Sequence, residues 1–148
     1  MRLCRTVPAL KVIARFPCTR RMDGVESGGW LEIAMKTLDN IDLTEKDRDS
    51  VRQAARSLRA ELPVSRVILF GSKARGEGDV YSDLDVLVVV SCPVTARVRE
   101  TVSERLAEIN VENDVVLSSV VVSEEEWRDG LIRYMPIYAE VQRDGCEV

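Results

Sequence analysis

The side chains that could do chemistry lie between two apolar runs, Val67–Phe70 and Val86–Val90. Both runs are short, rich in branched residues and bounded by turn formers, which predicts two buried strands. Gly71-Ser72 follows the first run directly, and Asp83 and Asp85 lie at the mouth of the second. Because an unpaired buried carboxylate is costly, such groups usually pair with cations or bind a metal. The stretch therefore predicts a metal and phosphate site on a sheet.

The types and spacing of these residues favour a nucleotide phosphate and magnesium. Gly71 has no Cβ, so a phosphate can approach the main chain there, and Ser72 adds a hydroxyl donor. Asp83 and Asp85 are two residues apart on an extended chain, so both side chains project from one face. Magnesium prefers one or two carboxylates together with substrate phosphate oxygens. We therefore expect Asp83 and Asp85 to bind the metal.

A third carboxylate is expected at Asp114, which begins the apolar run 114–122 and is the only acid in it. The β-branched content of this run predicts a third strand. If that strand lies beside the strand at 84–90, Asp114 becomes a third ligand, and Glu112 is the alternative. Three carboxylates can hold two divalent cations about 3.5–4 Å apart, an arrangement that activates an attacking oxygen and stabilises a leaving one.

Two cationic side chains follow the Gly-Ser pair, and their role is open. Lys73 and Arg75 could contact phosphate, but Glu77 and Asp79 are near enough to pair with them on a solvated loop. The sequence favours neither interpretation.

Helix signals surround these strands. Thr44 and Thr95 are expected N-caps of two amphipathic helices, Pro63 ends the first helix, and Ser123 opens a capping box with Glu126. Pro136 splits the last helical region, whose final part should end at a left-handed Gly145. The order helix, strand, strand, helix, strand, helix predicts an α/β (α+β) fold, with a small mixed sheet of three or more strands packed by helices.

The domain is expected to span residues 44–148, with residues 1–43 as an N-terminal extension. This extension is interpreted as partly disordered or as a short docking helix over Trp30–Leu38. Its Arg-rich, acid-free start also resembles a transit peptide, although residues 1–21 contain no serine. The interpretation favoured over a targeting segment is an exposed tail or an upstream extension ahead of Met22 or Met35.

Composition excludes several classes of protein. The 148 residues contain no histidine, so a Ser-His or Cys-His nucleophile is excluded, and four scattered cysteines disfavour zinc and fit a reducing cytoplasm. No apolar run is long enough for a membrane span. Six of the 21 basic side chains lie in residues 1–21, which contain no acid, leaving 15 against 25 acidic ones and a net charge of −10. Such an acidic body argues against general nucleic-acid binding.

Gly71-Ser72 is followed, after ten residues, by Asp83-x-Asp85. This motif resembles the GS-x10-DxD signature of the DNA polymerase beta-like nucleotidyltransferases. The amino-acid sequence of this stretch is similar to that of their minimal nucleotidyltransferase (MNT) branch. The resemblance covers about residues 44–148. It implies that Gly71 and Ser72 bind the nucleotide phosphates of ATP. It also implies that Asp83, Asp85 and Asp114 are catalytic and bind two Mg²⁺ ions.

The resemblance further implies a biological role. Several members of the MNT branch are antitoxins paired with a HEPN-type ribonuclease toxin, and some add AMP to a toxin hydroxyl. We therefore expect a magnesium-dependent nucleotidyltransferase that transfers AMP from ATP to a hydroxyl of a partner protein. Self-association of the chain into an oligomer is left open. The alternatives are a non-catalytic antitoxin that masks its toxin by binding, and nucleotidylation of a small molecule such as an aminoglycoside.

Overall fold

The computed structural model describes residues 36–148. Its α-helices are α1 (Glu45–Glu61), α2 (Gly71–Arg75), α3 (Ala96–Asn113), α4 (Glu124–Asp129) and α5 (Pro136–Asp144). Its strands are β1 (Lys36–Thr37), β2 (Val64–Phe70), β3 (Leu84–Val90), β4 (Leu117–Ser123) and β5 (Cys146–Glu147). Two 3₁₀ turns lie at Leu38–Asn40 and Leu131–Tyr134. No helix within 36–148 is long and apolar enough to cross a membrane.

The strands form one mixed sheet in the order β1-β5-β2-β3-β4. β2 is antiparallel to both β3 and β5, whereas β4 is parallel to β3 and β1 is parallel to β5. The parallel β3–β4 pair requires a crossover, and α3 supplies it. The small mixed sheet packed by helices confirms the fold class predicted from the sequence.

The helices begin where the capping residues predict. Thr44 Oγ1 accepts a hydrogen bond from the Asp47 amide at 3.0 Å, and Thr95 caps α3 in the same way. Ser123 and Glu126 form the reciprocal capping box of α4. Each cap satisfies amide groups that the first helical turn leaves without partners.

Helices cover both faces of the sheet, and alternation along β3 assigns each side chain to a face. Leu84, Val86 and Val88 pack in a core with α1 and α3. Leu87 and Val89 belong to a second cluster with side chains of α4 and α5. Because side chains two apart share a face, Asp85 lies on the α4–α5 side of the sheet.

The packed unit extends upstream of the expected boundary between residues 43 and 44. Leu38, Ile41 and Leu43 are buried in the same core as α1, and β1 pairs with β5. Of the possible docking helix Trp30–Leu38, only residues 36–38 are described, and they form β1 and the start of a 3₁₀ turn. The rest of that helix, with residues 1–35, lies outside the described residues.

Two local expectations are wrong. The third strand begins at Leu117 and not at Asp114, because α3 continues to Asn113 and Asp114 terminates it in the left-handed conformation (φ 49°, ψ 54°). Aspartate is one of the few residues that tolerate that conformation. Gly145 is not left-handed (φ −56°, ψ 136°), since the chain passes directly from α5 into β5.

Candidate active site

The Gly-Ser turn and the second aspartate meet at the end of two paired strands. Phe70, the last residue of β2, pairs with Asp85 of β3. Gly71 then turns the chain into α2 with a φ of +80°. A Cβ at Gly71 would lie 2.7 Å from Asp85 Oδ2. Only glycine therefore allows the turn to come this close to the carboxylate.

The two aspartates of the motif have different surroundings. Asp83 is exposed and immediately precedes β3, whereas Asp85 is half-buried within it. Asp85 Oδ1 accepts a hydrogen bond from Ser118 Oγ at 2.5 Å, and Ser118 is the residue opposite Asp85 on β4. Ser118 thus orients Asp85 and leaves Oδ2 directed towards Gly71. Only the register of β3 and β4 reveals this partner.

Asp114 does not join the pair. Its side chain is fully exposed, and its carboxylate contacts Lys46 Nζ of α1 at 3.5 Å. The alternative, Glu112, lies on α3 and accepts a hydrogen bond from Gln53. Within residues 36–148, no three His, Cys, Asp or Glu side chains are grouped so that they could hold a metal. In this part of the chain, Asp83, Asp85 and Asp114 therefore do not form the expected cluster of three carboxylates.

Lys73 forms a buried ion pair that the sequence did not predict. Its Nζ lies 2.9 Å from Asp47 Oδ2, and the two side chains are 7% and 11% exposed. The pair joins α2, just behind the Gly-Ser turn, to the first turn of α1. Gly78 packs against the lysine stem, because a Cβ there would lie 2.8 Å from Lys73 Cδ. The separation of 26 residues explains why sequence spacing gave no signal.

Arg75 is held by two carboxylates, of which Glu77 was a predicted partner and Asp144 was not. It contacts Glu77 at 2.7 Å and Asp144 of α5 at 3.2 Å. Asp144 is buried and also contacts Arg143 at 2.7 Å. The Arg143 guanidinium, assisted by Arg75, holds the pKa of Asp144 below its usual value. These contacts attach α2 to the end of α5.

The loop ahead of Asp83 is shaped by Asp79. Its carboxylate accepts hydrogen bonds from the Ser82 hydroxyl at 2.8 Å and the Tyr81 amide at 2.9 Å. These bonds, with the Ser82 hydroxyl first, lower the pKa of Asp79. The loop leaves Tyr81 exposed two residues from Asp83.

A cleft of about 400 Å³ opens between α1, the loop before β3 and the chain that enters β4. It is lined by Lys73 and by residues from the start of α1, the loop before β3 and the chain leading into β4. These residues are Thr44, Lys46, Asp47, Val80, Tyr81, Ser82, Leu84, Asp114, Val115 and Val116. Its volume is within the range of small-molecule sites. Gly71, Ser72, Asp83 and Asp85 are not among its lining residues, and Leu84, which lines it, lies on the α1–α3 side of the sheet, opposite to Asp85.

The donors at the motif fit a magnesium ion. Asp83 and Asp85 offer carboxylate oxygens, the ligand type that this hard cation prefers. The space beside Asp85 Oδ2 is one that a Cβ on residue 71 would fill, and glycine keeps it open. The arrangement therefore has the donor chemistry for a divalent cation, with the Gly-Ser turn next to Asp85.

Replacing Gly71 by alanine should impair both folding and the site. The positive φ should cost about 1–2 kcal/mol, and the new Cβ should displace the Asp85 carboxylate. Thermal denaturation and Mn²⁺ binding would measure the two effects. Gly76→Ala is the matched control, since Gly76 has a φ of +74° and a Cβ added there would have no neighbouring atom within 4 Å. An equal loss of Mn²⁺ affinity in both variants would contradict the role given to Gly71.

Replacing Asp144 by asparagine should lower stability by about 1–2 kcal/mol at neutral pH, since charge-assisted bonds are lost but both arginines are partly exposed. Because the folded pKa is depressed, the carboxylate stabilises the fold above its unfolded pKa and loses this effect on acidification. The difference between wild type and variant should be constant above about pH 5 and shrink below about pH 4. Urea denaturation across this range would test it, and a difference independent of pH would contradict it.

Comparison with known proteins shows the protein family to which the chain belongs. A family profile described as "Nucleotidyltransferase domain" matches residues 51–144, more than half of the chain. The chain belongs to this family of nucleotidyltransferase domains. The resemblance drawn from Gly71-Ser72 and Asp83-x-Asp85 is thereby confirmed at the level of the family.

One relative and one solved structure are also similar. The protein named "Putative protein adenylyltransferase MJ0141" from Methanocaldococcus jannaschii is 34% identical over 58 residues, which cover 39% of this chain and 59% of that protein. The chain thus matches less than two thirds of that relative's length. A structure described as "Crystal structure of the toxin-antitoxin with AMP-PNP" has a TM-score of 0.48 and 18% identity, covering 65% of this chain and 69% of the other.

Proposed function

We propose that the protein is a magnesium-dependent nucleotidyltransferase that transfers AMP from ATP to a hydroxyl of a partner protein. The observation that carries the proposal is the close approach of Gly71 to Asp85, which sets the Gly-Ser turn against a carboxylate of the motif within a nucleotidyltransferase domain. The similarity to a protein named as an adenylyltransferase supports AMP as the transferred group.

The residues have distinct roles in this proposal. Gly71 and Ser72 receive the triphosphate, with the Ser72 hydroxyl and the open main chain as its donors. Asp83 and Asp85 hold the magnesium ion, and Ser118 keeps Asp85 in its rotamer. Bound there, the ion neutralises phosphate charge and polarises the α-phosphate.

The transfer breaks the α–β phosphoanhydride bond of ATP and forms a phosphoester bond to the acceptor. The acceptor hydroxyl oxygen forms a bond to the α-phosphorus, the bond from that phosphorus to the bridging oxygen breaks, and pyrophosphate leaves as the hydroxyl proton is lost. Positioning and charge neutralisation supply most of the catalysis in phosphoryl chemistry, so the absence of histidine is no obstacle.

The acceptor class can be tested directly. We propose that the acceptor is a separate HEPN-type toxin for which this protein is the antitoxin. The full chain would be incubated with α-labelled ATP, Mg²⁺ and the product of the neighbouring gene, and label on that product is the expected result. No label with wild type, or equal label with Asp83→Asn/Asp85→Asn, would overturn the proposed function.

A second candidate, an antitoxin that masks its toxin by binding, is favoured by one surface. Leu131, Tyr134 and Met135 lie close together in the chain between α4 and α5 and are all exposed. Exposed apolar patches mark interaction sites. In a coexpression assay, masking predicts that Asp83→Asn/Asp85→Asn still protects cells while Leu131→Ser/Tyr134→Ser does not. AMP transfer predicts the loss of protection in the aspartate variant.

A further inference from the structure

One edge of the sheet has no neighbouring strand within residues 36–148. β4 is the last strand in the order β1-β5-β2-β3-β4, and it pairs only with β3, in a regular parallel register. Its sequence, Leu-Ser-Ser-Val-Val-Val-Ser, contains no charged residue and no proline, and its register contains no bulge. Charges, prolines and bulges are the devices with which proteins usually keep an edge strand from pairing. The outer edge of β4 therefore lacks these protections against a further strand.

Side chains close both ends of this outer edge. The Leu117 amide donates a hydrogen bond to Asn110 Oδ1 at 2.8 Å, and the Leu117 carbonyl oxygen accepts one from Asn110 Nδ2 at 3.3 Å. The Ser123 amide donates to Glu126 Oε2 at 2.8 Å. The main chain of Leu117 and that of Ser123 therefore face away from β3.

Two residues between the closed ends also direct main-chain groups outward. The amide and the carbonyl group of a strand residue point to the same side, and successive residues alternate between the two sides. Because Leu117 and Ser123 face outward, Ser119 and Val121 do so as well. Within residues 36–148, no strand and no side chain bonds these two amides and two carbonyl oxygens.

We infer that the outer edge of β4 pairs with the same edge of a second copy of the chain, antiparallel about a twofold axis at Val120. In an antiparallel pair, residues that face the partner strand meet opposite one another and exchange both hydrogen bonds. An axis at Val120 sets Ser119 opposite Val121 of the second copy, and Val121 opposite Ser119. All the open groups then have partners, in a total of four hydrogen bonds.

The closed ends select this axis over its neighbours. An axis at Ser119 would set Val121 against Leu117, whose main-chain groups are already bonded to Asn110. An axis at Val121 would set Ser119 against Ser123, whose amide is already bonded to Glu126. The open groups of β4 are thus complementary to those of an identical strand, which is the requirement for a twofold interface.

The side of α3 next to this edge suits the same arrangement. Asn110 reaches the main chain of β4, so its side of α3 faces the edge. Ala107 and Ser103 lie three and seven residues before Asn110, on the same side of the helix, and both are exposed. Arg105 and Glu112 instead contact side chains of α1. The twofold axis therefore brings two small, uncharged positions of α3 towards their copies.

Sedimentation of the full-length chain over a concentration series tests the inference. We expect a dimer at about 0.1 mM, a concentration at which an interface of micromolar affinity is almost fully occupied. Hydrogen exchange at the Ser119 and Val121 amides should be slower in the dimer than in protein diluted until it dissociates. A monomer at about 0.1 mM overturns the inference, whether the edge is open, covered by the chain itself or able to bind a strand of another protein.

Val120→Cys tests the register, because only a residue on a twofold axis lies opposite itself. The Cα atoms of such a non-hydrogen-bonded pair are about 4.5 Å apart, within the range that a disulfide spans. Oxidation should therefore link the variant into covalent dimers. Val116→Cys introduces a cysteine at an exposed valine away from the axis, and it should cross-link no more than the wild type with its native cysteines. Equal cross-linking in the two variants overturns this register.

Two further variants should weaken the dimer at least about tenfold. Ser119→Pro removes an outward amide but no bond to β3, and proline is tolerated on edge strands where the amide faces away from the neighbouring strand. Ala107→Glu places like charges near the twofold axis, and this exposed position keeps the test valid if the proline variant does not fold. Ala60→Glu, the same change at an exposed residue of α1, should alter the affinity by less than about twofold. Equal weakening by the two glutamate variants contradicts the inference.

Discussion

The Asp85→Asn variant is expected to transfer AMP on the order of 10³-fold more slowly than wild type. Asparagine keeps the shape of the side chain and can still accept the hydrogen bond from Ser118, so the fold should be intact. It lacks the negative charge that a divalent cation requires beside Gly71. The loss should therefore lie in the transfer rate and in Mn²⁺ affinity, not in thermal stability.

Two further asparagine variants make this prediction specific. Asp49 is an acid of α1 away from the motif, and Asp49→Asn should leave transfer within about twofold of wild type. Asp114→Asn should reduce transfer by no more than about threefold, because its carboxylate lies at Lys46 and not at the motif. A reduction in Asp114→Asn as large as that in Asp85→Asn would contradict the separation of Asp114 from the motif.

Replacing Lys73 by methionine should lower the free energy of unfolding by about 3 kcal/mol. Methionine retains much of the stem that packs under Gly78, but it leaves the Asp47 carboxylate buried without its cation. Removing one partner of a buried ion pair typically costs about 3–5 kcal/mol, and the residual exposure of this pair places the expected value at the lower end. Urea denaturation would measure the change.

The matched control is the other lysine of the cleft. Lys46→Met breaks an exposed contact with Asp114 and should change stability by less than about 0.5 kcal/mol. The double variant Asp47→Asn/Lys73→Met should recover part of the loss, because no buried charge is left unpaired. Equal losses in Lys46→Met and Lys73→Met would contradict a buried ion pair behind the Gly-Ser turn.

Local signals predicted most of the fold. Thr44, Thr95 and Ser123 are caps because their hydroxyls bond amides three residues away, which is a property of short sequence windows. The strand at 84–90 was predicted with its bounds, since a continuous branched run flanked by turns has few other solutions. The alternation along this strand also predicted that Leu84 and Asp85 lie on opposite faces of the sheet.

Features that depend on contacts between residues far apart in the sequence could not be predicted from short sequence windows. β1 and β5 have two residues each, too few to show a period, and exist because they pair with one another and, for β5, with β2. Asp114 resembles the start of a strand, yet the end of α3 determines its conformation. The Lys73–Asp47 pair joins residues far apart in sequence, so only the packed structure reveals it.

The position of β5 has a consequence for synthesis on the ribosome. Cys146–Glu147 lies between β1 and β2, so the strand that completes the sheet is translated after every strand that it joins. Until then, Ile68 and Leu69 present unpaired backbone groups along an open edge of the nascent sheet. Translation must therefore reach Cys146 before the edge can close, and a premature stop shortly before that codon would release a chain prone to pair with other strands.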